Sequence, residues 1–128
     1  MAAADKSHGV LVVDDDESIR LVCRINLELD GFRVLEAATL ADARLALETE
    51  PVDLVLLDLN LGSERTDELV DELRRRTPPV PVVLVTGSSD APRADRPEAD
   101  AVLTKPFDPE ELTATVRRLT ALTTAAER

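Results

Sequence analysis

Short apolar runs, three of them continuous ("VLVV", "LVLL" and "VVLV"), alternate along the chain with longer segments in which apolar residues recur every three or four positions. Continuous runs are typical of strands buried on both faces of a parallel sheet, and the longer segments are typical of helices that cover it. The alternation therefore predicts an α/β fold with a doubly wound sheet. We expect at least five strands, near Val10–Val13, Phe32–Ala37, Asp53–Leu57, Val82–Thr86 and Ala101–Thr104.

Four segments have the apolar spacing of a helix that packs on such a sheet. The last has the clearest start, with Asp108 as N-cap, Pro109 at the first helical position and Glu111 completing a capping box. The third runs into the basic residues Arg74–Arg76, which suit a helix C-terminus. The positions of the four stripes are Ile19, Val22, Cys23 and Asn26 to Leu29, then Leu40, Ala43, Ala46 and Leu47, then Leu69, Val70 and Leu73, and finally Leu112, Val116 and Leu119.

The connection from Gly87 to Asp100 departs from this pattern, because it contains Pro92 and Pro97 and hardly any apolar residue. Proline removes a backbone donor and disfavours helix in the residue before it. A regular alternation would place a helix between the fourth and fifth strands. We expect a short or irregular one at most.

Length and composition indicate one domain over residues 1–128, with its core at about 9–120 and flexible ends at 1–8 and 121–128. Hydrophobic residues make up 44% of the chain, but only two are Phe and none is Trp or Tyr, so platforms for stacking bases are missing. The net charge of −11 repels phosphate backbones and anionic lipid surfaces. Direct nucleic-acid or membrane binding is therefore not expected.

A single cysteine, Cys23, excludes an internal disulfide and a multi-cysteine metal site, and we interpret it as a small core residue of the first helix. The N-terminus lacks the apolar region of a signal peptide, and no apolar run approaches the length of a membrane span. These features predict a cytoplasmic protein.

Polar side chains follow four of the five predicted strands. Asp14–Asp16 come after the first strand, Asp58 after the third, Thr86 ends the fourth and Lys105 follows the fifth. In open α/β sheets, sites form outside the carboxyl ends of the strands, where strand order reverses. We therefore expect carboxylates, a hydroxyl and an ammonium group to meet there.

Clustered carboxylates repel one another by roughly 4 kcal/mol for a pair ~4 Å apart at an effective dielectric constant of ~20. A hard divalent cation such as Mg²⁺, or Mn²⁺ in its place, removes that repulsion. A lysine and a threonine that can contact phosphoryl oxygens complete the set. The residues predict metal-assisted phosphoryl chemistry.

Four stretches, "VLVVDDDES", "VDLVLLDLNLG", "VVLVTGSS" and "DAVLTKPFDPEEL", resemble in order and spacing the receiver domain of two-component response regulators. The resemblance covers about Gly9 to Leu119. It implies a flavodoxin-like sheet of strand order 2-1-3-4-5. It also implies transfer of a phosphoryl group from a sensor histidine kinase or phosphotransfer protein to Asp58, with the signal passing to a protein effector or an appended output domain.

The same resemblance implies a role for each matching residue. Asp58 would be the phospho-acceptor, and Asp14, Asp15, Asp58 and the backbone carbonyl of Asn60 would hold Mg²⁺. Lys105 would pair with the phosphoryl oxygens, and Thr86 would hydrogen-bond to the phosphoryl group and so report its arrival. Asp16 suits a helix cap better than a metal ligand. Such a domain catalyses only its own phosphorylation and dephosphorylation and is not an enzyme acting on other substrates.

Three departures from the family pattern concern signal output. Val102 occupies the position of the usual aromatic switch residue, Gly62, Arg65 and Thr66 replace the usual proline and Asp-Gly pair, and the segment before Lys105 is short and proline-rich. We expect phosphorylation to be retained and partner contacts or dimer geometry to be atypical. A homodimer is left open.

Two other classes of protein stay in view. One is an interaction module that keeps the receiver fold without being phosphorylated, which metal binding would separate from a working receiver. The other is a phosphatase similar to haloacid dehalogenases, whose nucleophile would be Asp14 and which would leave Asp58 unexplained. A nucleotide-binding fold is weaker, because none of the four glycines forms a Gly-rich phosphate loop.

Overall fold

The computed structural model describes residues 8–61, 65–87 and 99–126, the last five of these by backbone alone. These ranges contain five strands and four helices. All five predicted strands are present, with ends within one residue of the prediction. The strands are β1 (Gly9–Val13), β2 (Arg33–Ala37), β3 (Leu54–Asp58), β4 (Val82–Gly87) and β5 (Ala101–Lys105), and the helices are α1 (Glu17–Leu29), α2 (Leu40–Thr49), α3 (Thr66–Arg74) and α4 (Pro109–Ala126).

All strand pairs are parallel, and the strand order is β2-β1-β3-β4-β5. This confirms the doubly wound, flavodoxin-like sheet. Strand order reverses between β1 and β3, whose register pairs Val13 with Leu57. Asp58 lies one residue further along β3 and pairs with Val85 of β4. The carboxyl ends of β1, β3 and β4 therefore meet at the switch point.

The continuous apolar strands supply two separate cores, because successive side chains point to opposite faces of the sheet. One core lies under α2 and α3, and the other lies under α1 and α4. The first contains Leu11, Val13, Val55, Leu57, Val82 and Leu84 with Leu40, Ala43, Leu47, Leu69, Val70 and Leu73. The second contains Val10, Val12, Leu54, Leu56, Val83, Val85 and Leu103 with Cys23, Leu27, Leu112, Val116 and Leu119.

The apolar stripe predicted for α1 was wrong at two positions. Cys23 and Leu27 are buried, but Val22 is 41% exposed and Leu29 is 82% exposed. Each helical residue is turned by about 100° from the one before it, so a helix lying on a sheet through Cys23 and Leu27 points its immediate neighbours partly outward. Leu29 is also the last residue of α1.

Helix ends follow the predicted signals. The side chain of Asp16 accepts from the Ser18 N–H at 2.9 Å and caps α1, and Asp108 accepts from the Glu110 N–H at 2.9 Å at the start of α4. Arg74 ends α3.

Two features of the sequence analysis cannot be compared with the structure. The helix expected between β4 and β5 and the residue Gly62 lie outside the described residues. α4 continues to Ala126, so the chain stays helical past the predicted core boundary at about 120. Among the helices that the structure describes, none is long and apolar enough to cross a membrane.

Candidate functional site

Polar side chains project from the carboxyl end of the sheet, where the order of β1 and β3 reverses. Asp14 directly follows β1 and is 2% exposed, and Asp58 is the last residue of β3 and is 3% exposed. Asp15 is exposed. Carboxylate oxygens of these three residues lie within 4.8 Å of one another. The structure therefore brings together the acidic residues that the strand ends predicted.

Lys105, the last residue of β5, reaches this cluster from the sheet edge. Its Nζ lies 3.0 Å from Oδ2 of Asp14 and 3.6 Å from Oδ2 of Asp58. The peptide bond from Lys105 to Pro106 is cis. One ammonium group thus bridges the two buried carboxylates and offsets part of their charge.

Protonation of the two central groups is shifted by this environment. Burial raises the pKa of Asp58, the carboxylates of Asp14 and Asp15 raise it further, and the Asn60 N–H and Lys105 oppose them without cancelling the shift. Burial lowers the pKa of Lys105, but its hydrogen bond and charge attraction to Asp14, with attraction to Asp58 and Asp16, leave the pKa raised. The lysine is therefore a permanent cation at neutral pH.

Asp14 is fixed through its backbone as well as its side chain. Its N–H donates to the carbonyl of Ala37 at 3.0 Å, and its Oδ1 accepts from the Asp16 N–H at 2.9 Å. Its carbonyl accepts from Nη1 of Arg20 at 2.6 Å, and Nε of Arg20 donates to Oε1 of Glu36 at 3.0 Å. No spacing along the chain indicates Arg20 or Glu36, because side-chain contacts between α1 and β2 depend on how these two elements are placed relative to each other.

Thr86 and Asn60 lie at the neighbouring strand ends. Thr86 is fully buried on β4, one residue after the partner of Asp58, and its hydroxyl donates to the carbonyl of Gly87 at 3.0 Å. The Asn60 N–H donates to Oδ1 of Asp58 at 3.0 Å, and the residue is exposed. One oxygen of Asp58 is thus held by backbone while the other faces Lys105.

Arg65, Thr66 and Val102 depart from the family pattern and are among the described residues. Arg65 is exposed and pairs with Asp67 and Glu68, at 3.4 and 3.7 Å, at the start of α3. Thr66, the first residue of α3, is buried. Val102 lies on the edge strand β5 and is 40% exposed.

The donor set suits a small, hard cation. Asp14, Asp15 and Asp58 offer carboxylate oxygens, which are the ligands that Mg²⁺ and Mn²⁺ prefer. Mg²⁺ commonly keeps several waters and takes one or two carboxylates, and exposed Asp15 leaves the cluster open to solvent. The residues present therefore fit such an ion.

Comparison with known proteins identifies the family. A sequence model described as the response regulator receiver domain matches residues 10–117. The chain belongs to this family.

The chain is similar to the transcriptional regulatory protein KdpE of Mycobacterium tuberculosis, at 40% identity over 91% of this chain and 53% of the relative. It is 39% identical to the KDP operon regulatory protein KdpE of Escherichia coli, over 85% of this chain and 49% of the relative. The chain spans about half the length of these curated relatives. The crystal structure of the receiver domain of the response regulator TorR superposes with a TM-score of 0.77 at 35% identity, covering 88% of this chain and 95% of that one.

Proposed function

We propose that this receiver domain accepts a phosphoryl group on Asp58 in a reaction that depends on Mg²⁺, and relays the signal through protein contacts. The phosphoryl donor would be a phosphohistidine on a sensor histidine kinase or on a phosphotransfer protein. The observation that carries the proposal is the position of a single lysine ammonium between two buried carboxylates, those of Asp14 and Asp58. The other oxygen of Asp58 accepts from the backbone N–H of Asn60.

Asp58 is suited to act as the nucleophile. β3 holds its backbone rigidly, and the Asn60 N–H orients one carboxylate oxygen, so the other oxygen can approach phosphorus in line. In that step a new O–P bond forms and the P–N bond of the phosphohistidine breaks. The electron pair of the P–N bond returns to the imidazole, which takes up a proton.

Lys105 would contact the carboxylates before phosphorylation and the phosphoryl group after it. Its ammonium bridges Asp14 and Asp58 in this structure, and it can pair with a phosphoryl oxygen once Asp58 carries the group. The side chains of Asp14, Asp15 and Asp58 and the carbonyl of Asn60 would hold Mg²⁺. When bound, Mg²⁺ would supply positive charge that offsets the charge of the carboxylates and of the transferring phosphoryl group.

Thr86 would report the modification. Its hydroxyl donates to the neighbouring Gly87 carbonyl in this structure, so binding a phosphoryl oxygen would exchange that hydrogen bond for a new one and release the Gly87 carbonyl at the end of β4. A phosphoryl group adds about −1.5 to −2 charges, which is enough to shift a two-state loop. Exposed Val102 replaces the usual aromatic partner of this movement, so the signal would leave through altered contacts on the β5 side.

The remaining parts of the proposal concern cellular context. The receiver would act in the cytoplasm as one domain with its core at about 9–120. It would pass the signal to a protein effector or to an output domain in the same chain, and homodimer formation stays open. The relatives named as transcriptional regulatory proteins are about twice the length of this chain, which supports the appended-domain arrangement.

One observation favours a second function, an interaction module that is not phosphorylated. Arg65 and Val102 differ from the family pattern on the surfaces that would carry output. Retention of the three clustered carboxylates with Lys105 favours the phosphorylated receiver instead. Binding of Mg²⁺ to the wild-type chain would separate the two functions.

The test of the proposed function is the intact mass of the protein after incubation with a small-molecule phosphodonor and Mg²⁺. We expect a gain of one phosphoryl group that is lost in Asp58→Asn and when a chelator removes the metal. Asp71→Asn, a matched change at an exposed position of α3, should leave the gain intact. No gain in the wild-type protein, together with no Mg²⁺ binding, would favour the interaction module.

A further inference from the structure

The carbonyl of Asp14 lies just beyond the end of the hydrogen-bond ladder between β1 and β2. The Asp14 N–H donates to Ala37, the last residue of β2, and the chain then turns into α2 at its N-cap Thr39. A buried carbonyl at this point needs a donor from elsewhere. Nη1 of Arg20 supplies it at 2.6 Å.

Arg20 is itself held in place by a second contact. Its side chain is 15% exposed, and its Nε pairs with Oε1 of Glu36 at 3.0 Å. The other carboxylate oxygen of Glu36 pairs with Nη1 of Arg24 at 2.9 Å. Glu36 therefore fixes the Arg20 guanidinium, whose planar fork can serve two acceptors at once.

We propose that Arg20 is a positioning residue that sets the Asp14–Asp15 segment for cation binding by holding the Asp14 carbonyl. The assignment rests on the proposed function, in which these two carboxylates hold Mg²⁺. Groups that orient metal ligands from behind matter nearly as much as the ligands, and their loss commonly weakens metal binding about 10- to 100-fold.

The direction in which Mg²⁺ affinity changes when Arg20 is replaced separates a positioning role from a simple effect of charge. The chain carries a net charge of −11, so removing any arginine makes the protein more negative and by charge alone strengthens Mg²⁺ binding. Loss of positioning weakens Mg²⁺ binding. Arg24 is the matched control, because it pairs with the same Glu36 but its described contacts go to Glu36 and Glu28.

The first experiment is calorimetric titration of Mg²⁺ into the wild-type protein, Arg20→Gln, Arg20→Lys and Arg24→Gln. We expect Arg20→Gln to raise the Mg²⁺ dissociation constant about tenfold or more. Arg24→Gln should leave it unchanged or lower it. Arg20→Lys keeps the charge but lacks the planar fork that presents separate N–H groups to the Asp14 carbonyl and the Glu36 carboxylate. It should therefore also bind Mg²⁺ more weakly than the wild type, and it carries the test if Arg20→Gln does not fold. Binding by the Arg20 variants as tight as in the wild type would overturn the assignment.

The second experiment needs no metal and uses amide hydrogen exchange on the same proteins. We expect faster exchange at Asp14 and Asp16 in Arg20→Gln, with the Leu59 amide, which donates to Val85, unchanged. Unchanged exchange at Asp14 and Asp16 would overturn the positioning role. Failure of the wild-type protein to bind Mg²⁺ would contradict the proposed function, and exchange at these amides would then decide the role of Arg20 alone.

Discussion

Nζ of Lys105 lies 3.6 Å from Oδ2 of Asp58, although the two residues are 47 positions apart and belong to strands separated by β4. The same ammonium lies closer to Asp14, at 3.0 Å. A single cation therefore offsets part of the charge of the two most buried carboxylates of the site. This arrangement connects the stability of the fold to the chemistry proposed for Asp58, because removing the lysine leaves two buried carboxylates without a charged partner.

Replacing the lysine should destabilise the resting protein. We expect Lys105→Gln to lower the free energy of unfolding by about 1–3 kcal/mol, because buried carboxylates lose a charged partner. Added Mg²⁺ should restore more stability to this variant than to the wild type, since an ion that binds the folded state stabilises it. Urea unfolding with and without Mg²⁺ measures both effects.

The matched control is Arg118→Gln, which removes one positive charge from an exposed position of α4. Its stability should stay within about 0.5 kcal/mol of the wild type. Equal losses in the two variants would show that net charge, and not the bridge to Asp14 and Asp58, sets the effect.

The ionised Asp58 carboxylate should lower the free energy of unfolding at neutral pH when no metal is bound. Burial, with the charges of Asp14 and Asp15, raises the pKa of Asp58 above the ordinary value of 3.8. The folded protein then binds this proton more tightly than the unfolded chain, so the free energy of unfolding falls as pH rises from 3.8 through the raised pKa.

Asp58→Asn removes the ionisable group and with it the loss of stability that accompanies the ionisation of Asp58. In chelator-treated protein we expect it to be more stable than the wild type at pH 7, by on the order of 1 kcal/mol, with the difference shrinking below the ordinary pKa. Urea unfolding across this pH range is the measurement. A variant that is less stable than the wild type at pH 7 would contradict the raised pKa of Asp58.

Thr86 offers a test of how the modification is sensed. Thr86→Val keeps the shape of a fully buried side chain but removes the donor to Gly87, which should cost about 0.5–1.5 kcal/mol. Asp58 should still be phosphorylated in this variant. The changes in NMR chemical shift at Gly87 and Lys105 on phosphorylation should be smaller than in the wild type. Thr86→Ser keeps the hydroxyl and should preserve them. Shifts as large in Thr86→Val as in the wild type would exclude the hydroxyl as the sensor.

Cys23 should report unfolding and take no part in the chemistry. Burial raises the pKa of its thiol to about 12, with a further contribution from Asp14, so the reactive thiolate is scarce in the folded protein. At pH 8 a thiol reagent should react slowly without denaturant and faster through the urea transition. Rapid reaction in the folded protein would contradict the packing of α1 on the sheet.

Much of the fold and the acidic cluster could be predicted from the sequence, because both depend on local patterns. Apolar runs, three of them continuous, predicted the five described strands to within one residue, and the rule for strand ends correctly placed Asp14, Asp58 and Lys105 at one edge of the sheet. Asp16 was correctly assigned as a helix cap because its side chain bonds two residues ahead.

The features that the sequence did not reveal depend on how separate elements pack. The exposure of Val22 and Leu29 follows from the rotation of α1 about its own axis, which the sheet determines. The contacts from Arg20 to Asp14 and Glu36 join α1, the end of β1 and β2, so no spacing along the chain indicates them. Arginine on a helix more often extends into solvent, which makes its position a weak signal.

The measurement that tests the central claim most directly is the location of the phosphoryl group within the chain. Borohydride reduction converts an aspartyl phosphate to homoserine, and peptide mass spectrometry then identifies the modified position. We predict modification at Asp58 alone, after treatment with a small-molecule phosphodonor and Mg²⁺. Modification at Asp14 would contradict the account, because Asp14 is the nucleophile expected for a phosphatase of the haloacid dehalogenase type and not for a receiver.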